Sequence, residues 1–180
     1  MKVSSIKRLM KNRGNIAIIQ DIHDGQWIGC SHAIYRADVF PDMDEKSIRA
    51  IFDISKKDFD QKYTFTHLHS TPTKLNLSDV DEVERRFESY GFILNGRMLL
   101  KGNSGTILLD PDYLRPCGDQ YELYERFVPD DLGGGSYIAV KKGVSLIAII
   151  MSWDDISERL LNEIGELYAV EQMHASMRNK

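Results

Sequence analysis

Apolar positions are densest between Ser136 and Met151, SYIAVKKGVSLIAIIM, where the run from Val144 to Met151 is broken only by Ser145. An Ile-rich run behind a Lys141-Lys142-Gly143 turn predicts two strands, the second covered on both faces and central in its sheet. Beyond it, Ile156, Leu160, Ile164, Leu167 and Met173 recur at helical spacing behind Asp155 and Glu158, which predicts an amphipathic helix lying across that strand.

Upstream, strand-like and helix-like stretches alternate. Ser4 or Ser5 can cap a short helix that buries Ile6, Leu9 and Met10 and stops at Gly14. IAIIQDI and QWIGCSHAIYRA flank Asp24-Gly25, a hairpin signal because both turn residues tolerate positive φ. Pro41-Asp42 opens a second helix, with Asp42 and Glu45 spaced as a capping box and Ile48, Ile51 and Phe52 as its buried stripe. SKKDFDQK reads as polar connecting chain before the strand-like YTFTHLHS. Ser70 to Asn76 carries Pro72 and no periodicity, so it reads as a loop, the most mobile internal one. Ser78 can start a further helix, DVDEVERRFESY, on Val80, Val83 and Phe87.

FIL, Asn95-Gly96 and RMLL form a type I′ hairpin signature, followed by the strand TILL. Asp110-Pro111 interrupts the strands. YELYERF resumes them, with Tyr121, Leu123 and Phe127 alternating with a wet face of Glu122, Tyr124 and Arg126. Gly133 to Gly135 then turns the chain into Ser136. Successive hairpins predict an α+β fold, mainly an antiparallel sheet with the C-terminal amphipathic helix and two shorter helices packed on it. At 180 residues, one domain spanning 1–180 is expected.

Hydrophobic residues at 42% and charged residues at 28% are ordinary for a globular chain, and the net charge of -4 argues against a general nucleic-acid binder. The charge is uneven, however. Lys2, Lys7, Arg8, Lys11 and Arg13 crowd the first helix without an acid, whereas Asp110 to Asp131 is strongly acidic. These are either two solvated faces or a charged contact surface for a large partner. Cys30 and Cys117 lack further thiols for a disulfide framework or a four-thiolate zinc site, which points to a reducing cytoplasm. No signal peptide or membrane span is expected.

His67 and His69 are two apart on a strand and so share a face, where both imidazoles could take one metal. The segment HLHSTPTKLNLSDVD resembles the JAMM zinc-hydrolase motif. That resemblance implies His67, His69 and Asp81 as zinc ligands, Ser78 steadying the oxyanion and an upstream carboxylate as base. Ser70 stands where the motif has proline, and Ser78 comes one residue late. The alternative is two surface histidines near a sheet edge. Asp21, His23 and Asp24 resemble the first metal motif of calcineurin-type phosphoesterases, but its later elements have no counterpart and a hairpin turn is the simpler account. Cys30 and Cys117 read as buried thiols. No catalytic residue, resident metal or cofactor is assigned.

The order MKVSSIKRLMK, QWIGCSHAIYRAD, FPDMDEKSIRAIFDIS, LNLSDVD, NGRMLLKGNSGTILLDPDYLRP, YELYER, SYIAVKKGVSLIAIIM is similar to uncharacterised proteins of prophages and conjugative elements of Clostridia and related Firmicutes. Some small proteins of such elements are anti-CRISPR inhibitors of type II RNA-guided nucleases. The resemblance implies a non-enzymatic binding protein whose partner is a protein or ribonucleoprotein such as a guide-loaded type II nuclease. Lys7, Arg8, Lys11 and Arg13 would then be the candidate contact with guide RNA or DNA backbone. The acidic stretch 110–131 is the other candidate surface. A JAMM-like hydrolase and a DNA-clamp-like accessory factor are the competing readings.

Overall fold

The computed structural model describes residues 1–21, 23, 25–30, 32–72, 74–87, 93–94, 96–103 and 105–152. The amphipathic helix expected from Asp155 lies outside the described residues. The elements are α1 (Val3–Arg13), β1 (Asn15–Asp21), β2 (Gly25–Cys30), β3 (Ala33–Arg36), α2 (Glu45–Phe52), α3 (Lys56–Lys62), β4 (Thr64–Leu68), β5 (Arg85–Arg86), β6 (Ile93–Leu94), β7 (Arg97–Lys101), β8 (Thr106–Leu109), β9 (Glu122–Phe127), β10 (Ser136–Lys142) and β11 (Ser145–Met151). Short 3-10 helices span Pro111–Cys117 and Asp130–Leu132.

An eight-stranded sheet runs in the order β4-β1-β2-β3-β11-β10-β9-β5, and a second sheet in the order β6-β7-β8. Among the described residues every pairing is antiparallel except that of β1 with β4, which is parallel. The fold is therefore α+β with a mainly antiparallel sheet, and β11 lies in its middle, as the unbroken apolar run required. The stretch read as one strand, QWIGCSHAIYRA, is instead the hairpin β2–β3, with Cys30 facing Ala33 in the register. Apolar side chains on both faces of that stretch conceal the turn, because no break in hydrophobicity marks it.

Two apolar layers sandwich the large sheet. On one face Ile18, Ile28, Tyr35, Ile138, Val140 and Ile150 pack with Ile6, Leu9 and Met10 of α1, Ile48 and Phe52 of α2, and Leu100, Ile107 and Leu109 of the small sheet. On the other face Ile19, Trp27, Tyr137, Ala139, Leu146 and Ile149 lie under Leu75 and Leu77. The chain from Ser70 to Phe87 thus crosses this second face as a strap. It is tied to Asp21 by the Thr71 amide (2.9 Å), to the Tyr137 hydroxyl by the Asn76 amide (2.9 Å), and to β9 by the Phe87 amide and Leu123 carbonyl (3.0 Å).

Local chemistry explains most element ends. Gly14 closes α1 at φ 71°, a left-handed turn that suits glycine. Lys2, not Ser4 or Ser5, occupies the N-cap of α1, without a side-chain cap. The cap of α2 is Asp44, which accepts the Ser47 amide at 2.7 Å, so the Asp42–Glu45 pairing expected from spacing is displaced by two residues. SKKDFDQK is not connecting chain: Ser55 caps α3, and Phe59 alone anchors it to the core. The helix expected from Ser78 does not form up to Phe87. Asp81 instead accepts the Val83 amide, Val80 and Val83 stay at the surface, and Arg85–Arg86 pair with β9. The last residues of that expected helix, 88–90, lie outside the described residues.

The small sheet is locked to the large one through Glu125, which is 1% exposed and takes the Asn103 amide at 2.6 Å. Gly102 makes this approach possible, since a Cβ there would lie 2.7 Å from the Glu125 carboxylate oxygens. Gly102→Ala is expected to cost about 1–3 kcal/mol through overpacking, read as a lowered urea midpoint with unchanged slope.

Candidate functional site

α1 packs along the Pro111–Cys117 helix, and this contact brings together the basic and acidic stretches of the sequence. Lys2 lies 3.6 Å from Asp119, Arg8 3.5 Å from Asp112, and Arg13 donates to Asp110 at 2.8 Å. Lys7 reaches Asp53, the C-cap of α2, at 3.7 Å. What the sequence offers as two rival contact surfaces is one partly neutralised seam.

The four basic residues assigned to partner contact divide into two kinds. Arg13 shares Asp110 with Arg97, also at 2.8 Å, and stacks over the Tyr113 ring at 5.5 Å. Its guanidinium is thereby built into the helix packing. Lys7 and Arg8 sit in ion pairs longer than a hydrogen bond, with side chains 44% and 45% exposed, and Lys11 is exposed. Exposed pairs of that length contribute little to stability, so their cations can be handed to a phosphate at small cost.

His67 and His69 do come together. His67 is on β4, at the sheet edge, and His69 lies in the bend just beyond its end, with ring centroids 4.5 Å apart. Phe59, Phe65, His67 and His69 continue as a row of touching rings. His67 Nε2 bonds Gln20 Oε1 at 2.7 Å. Gln20 and its cross-strand partner Gln26 line an open cleft of about 420 Å³ that also carries Asp21, Asp38 and Asp42. Neither glutamine is singled out by sequence reasoning. The available signal is a polar residue facing the core side of an otherwise apolar hairpin.

Asp81 and Ser78 do not join them. Both lie on the strap, on the opposite face of the sheet and near its other end, where the Ser78 carbonyl accepts from Arg126 and Asp81 accepts from Asn76 Nδ2 at 2.9 Å. The JAMM-like ligand set His67, His69 and Asp81 is therefore not assembled. Among the described residues, no group of three His, Cys, Asp or Glu side chains converges as a metal shell. Asp81 is displaced because the strap carries the chain across the second face of the sheet to β9 and β10.

The polar residues on the face expected to be wet form the most connected network. Arg126 is 0% exposed and clamps Glu84 through Nε (2.9 Å) and Nη2 (2.7 Å), while Nη1 donates to the Asn76 and Ser78 carbonyls at 2.8 and 2.9 Å. A bulge in β10 between Val140 and Lys141 accompanies the inward turn of Lys141, whose Nζ meets Glu84 Oε1 at 2.6 Å. Both thiols are buried, and burial pushes Cys30 and Cys117 each up to about 12, so neither is a nucleophile at neutral pH.

Among the described residues no helix is long and apolar enough to cross a membrane. Comparison of the chain with protein-family models, curated proteins and solved structures gives no match in any of the three.

Proposed function

We propose that the protein is a non-enzymatic binding protein of a mobile genetic element that acts in the cytoplasm by docking onto an RNA-guided type II nuclease. The observation that supports this reading best is the outer face of α1. Lys7, Arg8 and Lys11 stand at the surface in weak pairs or none, on a helix whose inner face is fixed by Ile6, Leu9 and Met10. A rigid helix presenting several exposed cations suits the phosphate backbone of a guide RNA or of target DNA, where each contact releases counterions. Arg13 holds the end of that helix against Asp110 and Tyr113 and keeps the other three in register.

The test is retention of a guide-loaded type II nuclease on the immobilised protein, followed by a target-cleavage assay. Retention and loss of cleavage are expected. The triple charge reversal Lys7→Glu, Arg8→Glu, Lys11→Glu should weaken the complex and lower its salt slope by about one for each phosphate contact removed, at unchanged thermal stability. Absence of both retention and inhibition across several type II nucleases would remove this reading.

A further inference from the structure

The orientation of His67 is set by a chain of hydrogen bonds whose far end leaves no choice of direction. The Met43 backbone N–H can only donate, and it donates to Gln26 Oε1 at 2.8 Å. Gln26 Nε2 in turn faces the carbonyl oxygens of Ala37, Phe40 and Pro41 at 3.3, 3.4 and 3.2 Å, which can only accept. The buried Gln26 amide therefore has one orientation. Gln20 Nε2 donates to the same Gln26 Oε1 at 2.8 Å, which turns Gln20 Oε1 toward His67 Nε2 at 2.7 Å. A carbonyl oxygen accepts, so Nε2 carries the proton, and in the neutral ring the lone pair sits on Nδ1. Among the described residues Nδ1 has no hydrogen-bond partner, and the neighbouring His69 ring makes no hydrogen bond at all.

We propose that His67 and His69 bind a divalent first-row transition ion of the copper, nickel and zinc group, with His67 ligating through Nδ1 and the Gln26–Gln20 chain acting as the outer shell that fixes its tautomer. Three features point this way. Imidazole is the ligand these ions share, and the end of β4 with the bend after it brings two of them to ring centroids 4.5 Å apart. A ligating histidine nearly always gives its other N–H to a carbonyl or carboxylate, as His67 does to Gln20. The adjoining cleft carries Asp21 and Asp42 beside Asp38, which is paired with Arg36 at 2.6 Å, and the first two favour accumulation of cations at this edge. With no third ligand converging among the described residues, the remaining coordination positions are left to water or to a side chain of a bound partner. Such a site holds its ion reversibly, and copper(II) most tightly. The proposal stands apart from the docking role of α1 and needs no hydrolytic chemistry.

The experiment is titration of the metal-free full chain with copper(II), nickel(II) and zinc(II), followed by calorimetry and, for zinc, by long-range proton–nitrogen spectra of the imidazoles. Before metal is added, His67 should show its proton on Nε2. Zinc should shift the His67 and His69 ring signals together, and His67→Ala/His69→Ala should abolish that binding. His69→Ala alone removes an exposed side chain and should cost at least tenfold, which keeps the test valid if the double variant unfolds. Gln20→Ala removes no ligand, yet should weaken binding about tenfold and let the His67 tautomers mix. A His67 proton found on Nδ1, equal affinity in His69→Ala, or an unaltered tautomer and affinity in Gln20→Ala would each overturn the proposal.

Discussion

Arg126→Ala is expected to destabilise the protein by about 3–5 kcal/mol, the range for removing one partner from a buried ion pair. The side chain is 0% exposed, and four of its hydrogen bonds end on the carboxylate of Glu84, whose side chain is 12% exposed, and on the Asn76 and Ser78 carbonyls. Its loss would take the Arg126 bonds from both carbonyls and leave Glu84 balanced by Lys141 alone. Arg126→Lys should recover only part of the stability, because an ammonium cannot reproduce the planar fork that reaches Glu84 and the strap together.

The effect should be local in origin. The strap from Ser70 to Phe87 has Leu75 and Leu77 as its apolar anchors over the second face of the sheet, so the Arg126 network carries much of its attachment. Limited proteolysis of Arg126→Ala should therefore cut between Pro72 and Glu84 well before the sheet unfolds. In a double-mutant cycle with Glu84→Gln, the pair should lose less than the sum of the singles. A urea midpoint shift corresponding to under about 1 kcal/mol for Arg126→Ala would refute the assignment of the network as the strap's fastening.

This network also marks where sequence reading stops. Hairpins were legible because their information is local: glycines at 25, 133 to 135 and 143 fall where antiparallel neighbours meet, although Gly25 belongs to β2, Lys141 and Lys142 belong to β10, and the last turn is Gly143-Val144. The unbroken apolar run placed β11 in the middle of the sheet for the same reason. What failed depended on residues far apart in the chain. Arg126 sits at an alternating position that reads as solvent-facing, and only the strap, arriving from 42 positions upstream with Glu84, makes it an interior residue. The strap itself resembles a helix in periodicity, but Asp79 and Asp81 spend their carboxylates on Arg36, the Leu146 amide and the Val83 amide, which fix a bend and a turn in place of a helix. The parallel pairing of β4 with β1 has no turn signature, since α2 and α3 intervene.

The candidate site divides the same way. That His67 and His69 come together was legible from their spacing, although β4 ends at Leu68 and His69 lies in the bend beyond it. That Asp81 is far from them, and that Gln20 and Gln26 set the His67 tautomer, required the topology. The opposite charges of α1 and of 110–131 were visible as composition, but their mutual pairing through Asp110, Asp112 and Asp119 was not.

Above about pH 9 the protein is expected to lose stability, and the two thiols set the window. Burial raises Cys30 from its ordinary 9.0 to about 12 against the opposing Tyr35 hydrogen bond and Arg13 charge, and it raises Cys117 to about 12 against the N-terminal ammonium. Between these limits the unfolded chain has released both thiol protons and the folded chain retains them. The native state then binds more protons, so stability falls as pH rises through this window and is unaffected by the thiols below it. The shift to about 12 corresponds to at most about 4 kcal/mol per thiol, an upper bound because neither is wholly cut off from water. Tyr35, buried and donating to the Tyr113 carbonyl at 2.9 Å, is pushed up by the same desolvation and acts in the same direction. Urea midpoints should be level from neutrality to about pH 9 and drop steeply above it, with a shallower fall in Cys30→Ala/Cys117→Ala. Thiol labelling of the native protein near neutrality should be slow at both positions and become rapid on unfolding; rapid native labelling, or midpoints that stay level to about pH 11, would show that the thiols are not buried as the core requires.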